Sequence, residues 1–156
     1  MTFLTINDFD TVIERELLYQ IVGYPEVIDP DNPTEEESGL ITVALAKITA
    51  AVNAAISELS GYLANRYTTS EIFNQVGSSR NGLIVLKCCD IAVFYLYRIN
   101  NPEAMTELRE KAYKNAIEFC EKVNRLELNL PDLPKPTDSS KDTIFFGSNP
   151  KRENHY

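Results

Sequence analysis

The chain has almost no histidine. The single one, His155, is the penultimate residue, a poor place for a pre-organised general base. There is no glycine-rich phosphate loop either, since Gly77-Ser78-Ser79 has neither the lysine nor the preceding strand that such a cradle requires. Cysteines number three, Cys88, Cys89 and Cys120, all in apolar stretches of helical period. Adjacent side chains on a helix point about 100° apart, which suits neither a mutual disulfide nor CxxC metal spacing. Buried free thiols in a reducing compartment are expected. Basic residues are outnumbered 15 to 23, giving a net charge of −8. That disfavours free nucleic acid as the main partner, because phosphate contacts need a basic face. It does not exclude a protein that merely surrounds DNA, where repulsion helps the polymer slide. The opening MTFLTINDFD has no basic n-region and no apolar h-region, so no signal peptide is expected. With so few converging titratable groups, neither catalysis nor a cofactor or metal is expected.

What the chain does have is apolar helical pattern. At 156 residues it suits one domain with an ordinary core. The most apolar run is Leu83 to Asn100, LIVLKCCDIAVFYLYRIN, with apolar side chains pointing in every direction. A helix apolar all round is expected to be buried all round. A membrane span is the rival, but Lys87, Asp90 and Arg98 would each cost roughly 2.5–3.5 kcal/mol near the bilayer centre, so no membrane is expected. Asp90 is the one notable carboxylate in this run. It is expected to be a buried, satisfied structural ion pair, with Lys87 locally or with Arg66 across the bundle.

Three further helices are predicted around it. The first runs from about Thr5 to Ile21, started by a Thr5–Asp8 capping box and stopped by Gly23 and Pro25. Phe9, Val12, Ile13, Leu17 and Ile21 form its single apolar stripe, which suits a surface helix. The 26–39 loop is acidic. Asp29 and Asp31 suggest the start of a calcium loop, but Pro33 stands where a third ligand belongs and Leu40 where the closing glutamate belongs. Thr34 and Glu37 form a capping box for the second helix, which reaches about Tyr67. Its seam is Leu45, Ile48, Val52, Ala55, Leu59 and Tyr62, and its alanines and Gly61 permit close approach of a neighbour. Asn101-Pro102-Glu103 reads as the cap and first turn of a last helix, hairpinned against the apolar one, with Met105, Leu108, Ala112, Ala116, Phe119, Cys120 and Val123 on one face. That helix ends before Pro131.

These patterns define an all-α, four-helix, antiparallel bundle-like domain over 1–131, followed by an extended or disordered arm over 132–156. The arm mixes prolines, serines and both charges without period. Ile144, Phe145 and Phe146 interrupt it, and three adjacent large apolar residues in such a setting suggest a docking segment. Lys151 and Arg152 follow and suit an acidic surface. Whether the segment docks on its own domain or on another subunit is left open by the residues.

Three stretches carry a family likeness. Ile56-x-x-Leu59-x-Gly61-Tyr62-Leu63-x-x-Arg66-Tyr67, then Cys89-Asp90-Ile91-Ala92 with Leu96-Tyr97, then Leu128-x-Leu130-Pro131 together resemble the Mu-like prophage virion protein family, long labelled a domain of unknown function. The likeness runs from about Thr5 to Pro131. In organisation that family is similar to the head–tail connector (adaptor) proteins of tailed phages. The resemblance implies a non-enzymatic, all-helical subunit of a homo-oligomeric ring between portal and tail-completion proteins. It implies passage of DNA without sequence-specific binding, and a place in the virion after assembly from the host cytoplasm. The rival expectation is a cytoplasmic helical adaptor that binds one protein partner through its C-terminal tail.

Overall fold

The computed structural model describes residues 3–26 and 33–136. Their regular structure is entirely helical, and the domain is all-α. A 3₁₀ turn over Ile6–Thr11 leads to α1 (Arg15–Val22), α2 (Glu35–Leu63) and the short α3 (Thr69–Phe73). Then come α4 (Gly82–Asn100), a 3₁₀ turn over Pro102–Ala104, and α5 (Glu107–Asn124).

α2 is the longest element, 29 residues and so about 43 Å. Its start is doubly fixed: the Glu37 amide donates to Thr34 Oγ1 at 3.2 Å and Glu37 Oε2 accepts from the Thr34 amide at 2.7 Å. Glu35, Glu36 and Glu37 in the first turn add favourable charge against the helix dipole. The helix ends at Leu63, before the Tyr67 expected from sequence. Leu63 O then accepts from the amides of both Arg66 and Tyr67, turning the chain toward α3.

α4 is the central element and packs on α1, α2, α5 and the first 3₁₀ turn. Asn81 caps it, its Oδ1 accepting from the Leu83 and Ile84 amides at 3.1 and 3.2 Å. Ile84, Cys88, Cys89, Ile91, Ala92, Val93, Leu96 and Tyr97 are buried. Burial is not complete around it, however. Leu83, Leu86 and Ile99 are exposed, so the apolar side chains outnumber the walls available to cover them.

Paired contacts fix the helix directions. Phe94 stacks on Tyr113, while Cys88 lies near Cys120, so α4 and α5 are antiparallel. Glu58 accepts from Tyr113 and Asn65 donates to Asn124, so α2 and α5 run parallel and α2 opposes α4.

Two expectations about boundaries are corrected. The first predicted helix is broken into the 3₁₀ turn and α1, with extended backbone at Glu14. Phe9 and Leu18 are both buried although nine residues apart. On one straight helix they would face opposite ways, and the break lets both reach the core. The segment is therefore part of the core, not a one-stripe surface helix. At the other end, Asn101 closes α4 and Pro102 opens only a 3₁₀ turn, while Thr106 caps α5. Leu108 is 71 % exposed, so the inward face of α5 is carried by Ala116, Cys120 and Val123.

The packed body also continues past Pro131. Leu133 is buried, and the Thr68 amide donates to Pro134 O at 2.9 Å. α1 ends in a Schellman turn at Gly23, with φ 73°, which only glycine adopts freely. Lys47 Nζ adds a bond to Val22 O at 2.8 Å, tying the end of α1 to α2.

Candidate assembly surface

Of the two polar residues singled out in the sequence, Arg66 ties separate parts of the chain together and Asp90 does not. Asp90 pairs with Lys87, at 3.7 Å, and not with Arg66. Burial is the largest influence on its carboxyl and pushes it above the usual range; the Lys87 ammonium and the Arg109 charge oppose this without cancelling it. Arg66 instead donates to Val123 O and Leu128 O at 2.8 and 2.9 Å. Beside it the Tyr67 hydroxyl accepts from the Leu130 amide at 2.9 Å and lies 3.2 Å from Asn129 Oδ1. The first and third of the family-like stretches thus meet: Arg66 and Tyr67 hold the chain as it leaves α5. Ile144, Phe145, Phe146, Lys151 and Arg152 lie outside the described residues, as do Asp29, Asp31 and His155.

Two clusters were not foreseen. Arg80 donates to both carboxylate oxygens of Asp8, at 2.7 and 3.0 Å, and to Phe3 O at 2.7 Å. Asp8 also accepts from the Thr5 amide and hydroxyl. Burial, the largest single influence, raises the Asp8 carboxyl, but the Arg80 guanidinium and the Thr5 donors together outweigh it and hold it below the ordinary range. Glu58 accepts from the hydroxyls of Tyr95 and Tyr113, each at 3.0 Å. Burial and then the Glu58 carboxylate push Tyr113 up to about 12. Both clusters could be suspected from sequence only as unpaired charges, because their partners are 72, 37 and 55 residues apart.

Among the described residues there is no group of three or more His, Cys, Asp or Glu placed to hold a metal ion. The thiols are fully buried, and desolvation raises Cys88 to about 12 and Cys120 to about 11.

The distinctive surface is on α2. Its buried side is Ala44, Ile48, Ala51, Val52, Ala55, Leu59 and Leu63, rotated slightly from the expected seam, so that Leu45 is left 45 % exposed. Opposite lies an outer face of Gly39, Val43, Ala46, Ala50, Ala54, Ser57 and Gly61, each exposed and three or four residues from the next. Leu40 flanks it at 47 % exposure, and Val43 is 54 % exposed. From Ser38 to Ser57 the only charge is Lys47, already bonded to Val22 O. By length and composition α2, and not the Leu83–Asn100 run, is apolar enough to cross a membrane, yet only 28 % of its most apolar window is buried inside the domain. Gly61 admits no neighbour from among the described residues, because a Cβ there or at Gly39 would meet nothing of theirs within 4 Å. The surplus of small, uncharged side chains thus faces outward.

The fold and this face together define an all-α domain whose unusual feature is an uncharged helix surface. The chain belongs to the bacteriophage Mu Gp36 family, whose model matches residues 4–145. It is therefore a phage protein of the Mu-like kind. No curated protein and no solved structure was found to match it.

Proposed function

We propose that the chain is a head–tail connector, a structural and non-enzymatic subunit that assembles as a homo-oligomeric ring between portal and tail-completion proteins in the virion. The observation that carries this reading, beyond membership of a phage protein family, is the outer face of α2. Two copies of a chain with net charge −8 repel over most of their surfaces. This face, uncharged over about five turns and lined by small residues, is where like copies can approach without opposed charge. The acidic balance also suits a lumen through which DNA passes without adhering, with no sequence-specific contact.

The test is to place charge on the face without touching the core. Val43→Glu with Ala50→Glu changes only exposed positions, so helicity and melting temperature should hold. Ring formation, and the rescue of particles lacking the native chain, should fail. A doubly substituted protein that assembles normally would remove the α2 contact from the proposal.

A further inference from the structure

The N-terminal segment and α2 enclose an apolar cleft of about 160 Å³, lined by Leu4, Ile6, Phe9, Leu45, Ile48 and Val52, with Thr5 and Thr49 at its polar edge. An apolar cavity of about 150 Å³ is the size that takes up one benzene ring. The cleft is open to solvent on the α2 side, where Leu45 and Thr49 are exposed. Among the described residues no neighbouring helix fills it and no charged side chain lines it.

We propose that this cleft is the docking site for the chain's own segment Ile144–Phe146, with one phenylalanine ring seated against Leu45 and over Ile48 at its open side. Two observations select this occupant. Beyond Leu133 the sequence contains no other large aliphatic side chain or phenylalanine, so these three are the arm's apolar anchors. And the packed body delivers the arm to the right side of the molecule. Pro134 O accepts from the Thr68 amide, Thr68 starts α3, and Phe73 at the end of α3 sets its ring edge-on to Phe3 at 5.0 Å. Phe3 adjoins Leu4 and Thr5 of the cleft wall. The path from Pro134 to Leu4 at the cleft wall along these contacts is about 31 Å, side chains included. The chain from Pro134 to Phe145 extends to about 36 Å, so the same chain can reach without displacing any element. A tethered segment meets its site at millimolar effective concentration, about what linkers of this length provide, which favours the chain's own arm over that of another copy.

The experiment uses the full chain carrying Thr49→Cys and Gly147→Cys, treated when dilute with a short bismaleimide. The three native thiols are buried and do not compete. The expected result is a crosslink between positions 49 and 147 within one chain, identified by peptide mass spectrometry, and its loss when Phe145→Ser and Phe146→Ser are added. Hydrogen exchange should agree, with residues 4–9 and 45–52 exchanging at least several-fold faster in the Phe145→Ser/Phe146→Ser protein. Crosslinks only between chains would assign the segment to a neighbouring copy and overturn the proposal. An equal crosslinking rate with and without the phenylalanines, or unchanged exchange at the cleft, would overturn it too.

Discussion

Arg80→Gln is the sharpest perturbation of the fold. Arg80 joins the connection before α4 to the N-terminal segment through Asp8 and Phe3 O, and its guanidinium also lies 5.9 Å from the Phe3 ring. The pair is well shielded, with the two side chains 13 % and 14 % exposed. Breaking one side of a fully buried ion pair costs about 3–5 kcal/mol, and Asp8 and Arg80 are only partly buried. Asp8 would keep its two Thr5 donors, so the lower end, about 3 kcal/mol, is expected. For a domain of this size that is a fall in melting temperature of roughly 6–12 °C. The sign with pH follows from Asp8. Its folded-state carboxyl lies below the ordinary value, so its contribution is complete above the unfolded pKa of about 3.9 and is lost as pH falls through the folded value. The gap between wild type and Arg80→Gln should therefore be full at pH 7 and shrink below about pH 4. Urea unfolding followed by circular dichroism at both pH values measures it. A gap under about 1 kcal/mol at pH 7, or one that does not change on acidification, would refute the reasoning.

Asp90→Asn should behave in the opposite way. Burial holds the Asp90 carboxyl above its ordinary value, so ionisation weakens the fold as pH rises from the unfolded value through the folded one. Asn at this position should melt at the same temperature or higher at pH 7, with the advantage gone at pH 3; a loss beyond about 1 kcal/mol at pH 7 would show that the Lys87 pair is worth more than burial costs. The cysteines should react slowly with a thiol reagent in the folded protein and give three equivalents after denaturation, because all are buried and Cys88 is raised to about 12. Rapid labelling of the native chain would contradict the packing of α4.

The helical class, the core helix at Leu83–Asn100 and the cap at Thr34 follow from local rules, and the structure agrees with each. What local rules could not supply is orientation. The periodicity of α2 fits a seam through Leu45 nearly as well as one through Ala44, and only packing against α4 selects the latter. The same rotation turns the alanines outward, so residues that read as close internal packing form the exposed face instead. The break at Glu14 is likewise a tertiary effect, imposed by the need to bury both Phe9 and Leu18. Long-range partners such as Asp8 with Arg80 leave no mark in the sequence beyond their charges. The family-like Arg66-Tyr67 and Leu128-x-Leu130 stretches are explained by one contact, the closure of α5.

The most direct measurement is cryo-electron microscopy of tailed particles that carry this chain. A connector predicts a closed ring of its copies between portal and tail, with the outer faces of α2 covered by neighbouring subunits. Complete particles in which this position is filled by another protein, with this chain absent, would contradict it.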